Sequence, residues 1–350
     1  MRSQRLTFAD RGPGYSYRAD DPPPSVFGDH QPGIATPLLD HLVLASFDAV
    51  SGLKDLLANW SQAAERLMAA RHTSSSPAGA LTITFGCGPG LFIKELSDRR
   101  PRVLRPLPAF AGDALDPAFC GGDLLIQACA ADPAVAADAV SLLAEVAGAA
   151  AAPRWTQTGH LRRDRGDAPR GRPRDPLGFK DGTHNPRRGR DLDRHVWAGR
   201  GERTWMAGGT YLVMRRIEVD RDRWDRLPQP DQERVIGRHK SSGAPLGGRA
   251  EFDPLWIEDP ALPADSHVRQ AAPRMSEGAI LLRRSYTYGA REGIVFLAYG
   301  RDPWRQFVPI QRRLAEHDAL SAFTTHVGSA LFAIPPGARP HAFIGAGMFE

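Results

Sequence analysis

The stretch HLVLASFDAVSGLKDLLANWSQAAERLMAA, residues 41–70, holds two periodicities back to back. Residues 41–50 form a β-rich apolar run. From residue 53 the apolar positions Leu53, Leu56, Leu57, Trp60, Ala64, Leu67 and Met68 recur at helical spacing. A strand that feeds directly into an amphipathic helix opens a β-α unit. Outward from it, ALTITFGCG (80–88) reads as a strand, GLFIKEL (90–96) as a short helix and DLLIQACA (123–130) as a strand. PAVAADAVSLLAEVAGAAA (133–151) opens with a proline suited to a helix's first turn and stays rich in Ala and Leu. WTQTGHLRR (155–163) reads as a closing strand. The order β-α-β-β-α-β, with one extra short helix, predicts a ferredoxin-like unit: an antiparallel sheet with helices on one face.

The second half repeats that order in outline. GGTYLVMRRIEV (208–219) is strand-like, and DRDRWDRLPQPDQERVIGRH (220–239) is helical, broken at Pro228 and Pro230. AILLRRSYTYG (279–289) and GIVFLAYGRD (293–302) are strand-like, WRQFVPIQRRLAE (304–316) is helical with an interruption at Pro309, and ALFAIPP (330–336) is a last strand. The expected class is α+β: two ferredoxin-like domains with antiparallel sheets and peripheral helices. The expected parts are an irregular arm over 1–30, a first domain over 31–160, an Arg/Pro/Gly-rich linker over 161–177 and a second domain over 178–350. No residue-level repeat links the halves. The segment 240–278 is long, rich in Gly and Pro, and irregular, and such loops are often functional.

Composition narrows the function classes. The chain has 350 residues, 42% hydrophobic and 24% charged, which suits a globular protein with ample core. No apolar run reaches the ~18 residues of a membrane span. The first 28 residues show no apolar signal region and no twin arginine before one, so the expectation is a cytoplasmic protein as the sequence stands, with an exported mature form that has lost its twin-Arg signal as the alternative. The net charge of +5 is carried almost wholly by arginine. The densest run, HLRRDRGDAPRGRPRDP (160–176), is interrupted by Asp, Gly and Pro and reads as an exposed linker, not a nucleic-acid surface. Three cysteines without a CxxC give neither a zinc pattern nor a disulfide framework.

Three stretches are open to a chemical reading. GFKDGTHNP (178–186) is built of turn signals, yet it also offers Asp181 as a carboxylate that moves a proton. His267 in DSHVRQAAPR (265–274) is either a hydrogen-bonded loop residue or a metal ligand through neutral imidazole. No second ligand lies at zinc spacing, and one system that accepts a single axial histidine is haem iron. In ILLRRSYTYG (280–289) strand alternation sends Arg283 and Arg284 to opposite faces, and whichever is buried calls for an anionic partner. FGCGPG (85–90) misses the GxGxxG spacing, and Pro89 lacks the N–H of a phosphate cradle, so it reads as a turn.

Taken together these stretches resemble the dye-decolourising peroxidases. GFKDGTHNP is similar to the family's GxxDG motif and GDHQPGIATP (28–37) to its GxHQxGI segment. SHVRQAAPR (266–274) resembles the proximal-histidine segment, LLRRSYTYG (281–289) the distal-arginine segment, and HVGSALFAIPPG (326–337) the C-terminal strand. The similarity runs in order from about Phe27 to the C-terminus and is nearest to the exported deferrochelatase/peroxidase subgroup, whose mature forms lack a twin-Arg signal. It implies two ferredoxin-like domains of the dimeric α+β barrel type and one haem b per chain, held mainly by the second domain, with His267 as iron ligand. It implies Asp181 as distal acid-base and Arg283 as the group that stabilises compound I formation. Gly182, Thr183 and His184 would line the haem, Arg269 and Arg274 would meet its propionates, and Asp318 would accept the other His267 N–H. Ser285 stands where many relatives carry asparagine. The implied partners are hydrogen peroxide and an aromatic reducing substrate, in a homodimer or larger assembly, with no nucleic acid and no membrane. Trp197, Trp205, Tyr286 and Tyr288 are candidate surface relays for electrons. A carboxylate catalyst stays ionised at lower pH than an imidazole would, so an acidic optimum is expected. The alternative is a haem-handling protein that releases iron and leaves protoporphyrin intact.

Overall fold

A computed structural model describes residues 22–71, 80–162, 173–187, 189–199, 201 and 203–350. The first 21 residues of the expected arm and the centre of the expected linker lie outside the described residues.

Eight strands close into one antiparallel barrel: β1 (His41–Ala49), β2 (Leu81–Cys87), β3 (Leu124–Ala130), β4 (Ala151–His160), β5 (Thr210–Val219), β6 (Leu282–Tyr288), β7 (Gly293–Gly300) and β8 (Thr324–Ile334). Around the barrel they run β1-β3-β2-β8-β5-β7-β6-β4. The first half is therefore β4-β1-β3-β2 and the second β8-β5-β7-β6, the same ferredoxin-like order twice. The halves join at two thin seams, Cys87 opposite Ala333 and His160 opposite Thr287. Closure leaves neither half a free sheet edge at those seams. The main helices are α1 (Leu53–Arg71), α2 (Pro133–Ala147), α3 (Gln229–Ile236), α4 (His267–Gln270) and α5 (Phe307–His317).

Strand alternation sorts the core. Leu42 and Leu44, Leu125 and Cys129, Leu212 and Met214, Leu297 and Tyr299, and Phe332 fill the barrel. The opposite faces of β1 to β3 carry Val43, Ile83, Phe85, Ile126 and Ala128, which pack under α1 and α2. There Trp60 donates its indole N–H to the Leu143 carbonyl at 2.7 Å. Strands β2 and β3 are buried along their whole length, which is why they read as near-continuous apolar runs. A smaller cluster of Leu177, Phe179, Val219, Trp224 and Ile236 lies beside the GFKDGTHNP loop.

Several boundaries differ from the sequence reading. Strand β4 starts at Ala151, before the expected Trp155, because Gly148 ends α2 at φ +50° and frees the chain to extend. Strand β8 starts at Thr324, not Ala330, since β5 offers a partner as far as Val219. Pro309 does not interrupt α5: it falls in the first turn, where its missing N–H has no intrahelical acceptor. Residues 220–239 split into a turn over Arg221–Trp224 and α3, with Pro228 at the break and Pro230 in the new first turn. Helix α2 with its following turn, 133–150, is long and apolar enough by composition to cross a membrane, contrary to the expectation that no stretch would be. Ala136, Ala139, Val140 and Leu143 on one of its faces pack against the barrel.

Candidate active site

The GFKDGTHNP loop is shaped by its own turn chemistry. Asp175 N–H donates to the Phe179 carbonyl and Gly178 N–H to the Asp175 carbonyl, both at 2.9 Å, while the Asp175 carboxylate accepts from Phe179 N–H at 2.9 Å. Phe179 then packs edge-on against Trp224. Asp181 N–H donates to the Pro173 carbonyl at 3.1 Å, and its carboxylate accepts from Gly182 N–H at 2.6 Å. Gly182 sits at φ +74°, in the left-handed region that favours glycine. On the far side, Thr183 Oγ1 donates to Glu251 at 3.1 Å and Lys180 Nζ pairs with the same carboxylate at 3.2 Å. These contacts tie residue 251 of the long irregular segment onto the loop.

Asn185, which the sequence reading passed over, fixes the loop to β6. Its amide donates to the Arg283 carbonyl at 2.7 Å and accepts from Arg283 N–H at 3.0 Å. The side chain thus mimics one rung of a strand ladder. Strand alternation then separates the two arginines as expected. Arg284 is 1% exposed and enters the barrel, where Nη1 donates to the carbonyls of Ile34 (2.7 Å) and Thr36 (2.8 Å) and Nη2 to that of Pro37 (3.3 Å). The expectation of an anionic partner for the buried arginine is corrected: main-chain oxygens of the GDHQPGIATP segment take that place. The same segment anchors through Gln31, which accepts from Phe85 N–H at 2.8 Å and donates to the Phe85 and Pro335 carbonyls. Arg283 and Ser285 face the other way, and the Arg283 guanidinium makes no hydrogen bond or ion pair among the described residues.

His267 is the first residue of α4, and Asp318 stands just past the end of α5. Asp318 Oδ1 accepts from Leu320 N–H at 2.9 Å, which aims Oδ2 at His267 Nδ1, 2.6 Å away. The expected acceptor is therefore in place. Asp318 is nearly buried (4% exposed), whereas 28% of the His267 side chain remains open. Burial opposes a charged imidazole here, but the Asp318 carboxylate and its hydrogen bond outweigh it and hold the pKa above the ordinary value. With Nδ1 engaged, Nε2 is the ring atom that has no hydrogen bond among the described residues.

The electrostatics tie these pieces together. The Arg283 cation acts on His267, and Asp175 feels both Asp181 and His267. His184, exposed at the loop surface, is nonetheless pushed down to about 4 by partial burial and then by Arg238, Arg283 and Arg187. Arg238 is the other residue missed from sequence, at the edge of the irregular segment in an unremarkable polar turn. It is 4% exposed and donates through Nη1 to the carbonyls of Gly243 and Glu251. Its Nη2 is buried with no partner among the described residues, and burial lowers its pKa to about 10. A buried guanidinium with an open donor fits an anionic group such as a haem propionate. Arg269 and Arg274 are engaged elsewhere: Arg269 donates to the Leu262 carbonyl, and Arg274, largely exposed, pairs with Glu258 at 3.5 Å. The four aromatic relay candidates are not at the surface. Trp197, Trp205, Tyr286 and Tyr288 are all under 9% exposed, because barrel closure and ring stacking cover them, whereas Trp256 is 61% exposed.

Comparison with known proteins agrees with this geometry. The profile for the N-terminal part of Dyp-type peroxidases matches residues 31–161, and the profile for the C-terminal part matches 172–339. A dye-decolorizing peroxidase of Thermobifida fusca is 40% identical over 293 residues, spanning 77% of this chain and 68% of that protein. A deferrochelatase of Escherichia coli K12 is 31% identical over 362 residues, spanning 89% of this chain and 84% of its own. Among solved structures, an oxyferrous complex of DtpA from Streptomyces lividans superposes with a TM-score of 0.88 at 37% identity, covering 94% of this chain and 98% of its own. A DyP-type peroxidase from Cellulomonas bogoriensis superposes with a TM-score of 0.87 at 36% identity, covering 95% and 100%. Two profiles that account for nearly the whole barrel, and relatives this similar over most of its length, place the chain in the Dyp-type peroxidase family.

Proposed function

We propose that the chain is a haem peroxidase that uses hydrogen peroxide to oxidise dyes, phenols and other aromatic reductants, with Asp181 and Arg283 on the peroxide side of the site and His267 as the residue that would hold the iron. The observation that carries this reading is the Asn185 latch. It fixes the Asp181 loop to the Arg283 main chain, within the electrostatic reach of a histidine whose Nδ1 is already taken by Asp318.

When bound, haem would supply the redox-active iron at which peroxide is reduced. The protein's residues do the rest. His267 would hold the iron through Nε2, and the Asp318 carboxylate would make that nitrogen a stronger donor. Asp181 would take the proton from one peroxide oxygen and return it to the other. Arg283 donates to the charge that develops as the O–O bond parts. Arg238 offers its open Nη2 to a propionate. Hydrogen peroxide reaches this side, while bulky dyes deliver electrons from the surface. A homodimer or larger assembly completes the reading, and light scattering of the holoprotein tests it.

The experiment is a stopped-flow reaction of holoprotein with peroxide. Asp181→Ala and Arg283→Ala should retain the Soret band yet react at least 100-fold more slowly, on the order expected for lost acid-base or electrostatic help. His267→Ala should lose the iron ligand and its spectrum. Wild-type rates in both distal variants would remove the assigned roles. A second reading has one observation in its favour, the similarity to deferrochelatases over 89% of the chain. Holoprotein kept under reducing conditions would then yield metal-free protoporphyrin; full retention of iron counts against it.

A further inference from the structure

Reduction of hydrogen peroxide to two waters consumes two electrons and two protons. Electrons cross protein by tunnelling, but protons move only along groups that exchange them. The reading above therefore requires a route by which protons reach Asp181 from solvent.

The described residues contain such a route. A chamber with room for about one water is lined by Asp181, Asp175, Ser285, His160, Arg162 and Arg174. Arg162, Arg174 and Pro176 also line a wider, open cleft of about 300 Å³ that reaches Lys240, Arg221 and Ser241. Chamber and cleft thus share a wall, and Asp175 stands on the inner side of it, six residues before Asp181. One Asp175 oxygen is committed to the turn through Phe179 N–H at 2.9 Å. The charges that act on the carboxylate are those of Asp181 in its own loop, His267 on α4 and Lys240 in the segment after α3, and His160, Arg162 and Arg174 line the same chamber. Burial, with the Asp181 charge adding to it, raises its pKa to about 6, so it exchanges a proton near that pH. The peroxide step uses Asp181 internally and needs no proton from outside. The reductive steps do.

We propose that Asp175 is the relay residue that brings solvent protons to Asp181: its carboxyl gives a proton to the chamber water, that water gives one of its own to the Asp181 carboxylate, and Asp175 is reprotonated from the cleft. Over a turnover this route is used twice, with the two electrons coming from the reducing substrate and both oxygens leaving as water. The inference rests on Asp181 being the distal acid-base. Asp175 acts through Asp181 and touches neither peroxide nor haem.

The test uses holoprotein carrying Asp175→Asn, which keeps an oxygen for Phe179 N–H. Infrared difference spectra between about pH 7 and 5, without peroxide, should lose a carboxyl C=O band that titrates near pH 6 in the wild type. Steady-state turnover should fall on the order of tenfold or more and lose its pH limb near 6, while the initial reaction with peroxide stays within about twofold. A turnover pH limb that survives the substitution overturns the relay, and so does equal slowing of both phases. Should Asp175→Asn fail to take up haem, Lys240→Met serves instead. Removing that cation should move the limb to higher pH, and an unmoved limb overturns the proposal. The two readings fail separately. If Asp181→Asn reacts with peroxide at the wild-type rate, the distal assignment falls; if it is slow while the Asp175 and Lys240 variants keep the wild-type limb, only the relay falls.

Discussion

Asp318→Asn is the most diagnostic single substitution, because Asp318 does two jobs with two oxygens. Oδ1 accepts from Leu320 N–H at 2.9 Å, and Oδ2 accepts from His267 Nδ1 at 2.6 Å. Asparagine has the same shape but one oxygen. If that oxygen stays on Leu320, the amide N–H₂ group faces His267, which satisfies it only by carrying its proton on Nε2, the atom proposed to bind iron. If the oxygen turns to His267, Leu320 loses its cap, at a cost of about 1 kcal/mol. In that second arrangement the hydrogen bond also loses its charge. Bonds to charged groups are worth roughly 1.5–3 kcal/mol and neutral ones roughly 0.5–1.5, so the loss is about 1–1.5 kcal/mol, close to tenfold in an equilibrium. Outer ligands of metal-bound histidines typically carry about 10- to 100-fold in metal affinity. The expected outcome is haem loss to apomyoglobin accelerated by that factor, an Fe–His stretching band at lower frequency in the ferrous protein, and a raised midpoint potential. An unaltered Fe–His band together with a haem-loss rate within about twofold of wild type would refute the claim that the carboxylate tunes His267.

Four further substitutions probe separate parts of the fold and the site. Asn185→Ala removes both hydrogen bonds to the Arg283 main chain, about 1–3 kcal/mol of local stability, and should slow the initial peroxide reaction more than it affects the Soret band; an unaffected stopped-flow rate contradicts the latch. Arg284→Met leaves the carbonyls of Ile34, Thr36 and Pro37 without their donor inside the barrel and should cost about 3 kcal/mol or more in denaturant titration, whereas Arg283→Met, on the outer face, should cost far less; equal losses would mean the two arginines had been misassigned. His326 accepts from Arg215 Nε at 3.0 Å, and burial, then the Arg215 charge, hold its pKa at about 3. The fold therefore prefers it neutral, so stability that is full above its ordinary value of 6.5 drains as pH falls toward 3, and thermal melts of His326→Gln should lose part of that acid slope.

The elements were legible because their signals are local. Leu53, Leu56, Leu57 and Trp60 announce α1 at helical spacing, and all four are buried as the pattern implies. The eight strands and their twofold repeated order follow from the same kind of pattern. Joining the two units into one barrel was not legible in those patterns, since it rests on single pairings such as Cys87 with Ala333, which leave no periodic trace. Ladder length was hidden for a similar reason: β8 begins at Thr324 because β5 is there to receive it, not because 324–329 is strongly β-forming. At the site, Asp181, His267 and Arg283 stood out as chemical residues in turn or strand contexts. Asn185 and Arg238 did not, because their meaning lies in partners far along the chain or in an unmet hydrogen bond, and neither shows in a window of sequence.

The arginine pair on β6 shows how little separates a structural residue from a functional one in this fold. Leu282, Arg284 and Tyr286 face the barrel interior, while Arg283 and Ser285 face outward. A strand has a side-chain period of two, so a slip of one residue would exchange the roles. The exchange is blocked from both sides of the sheet. Inside, the donor set of Arg284 matches carbonyls of a segment that Gln31 has already fixed to Phe85 and Pro335. Outside, Asn185 holds both the N–H and the carbonyl of Arg283, and the other register would offer it the main chain of a residue pointing the opposite way. The register is thus held by groups from residues 31–37 and 185, each far from β6 in sequence. Arg284 and Asn185 stabilise the barrel, and because they fix the register, they also decide which guanidinium faces outward beside the Asp181 loop.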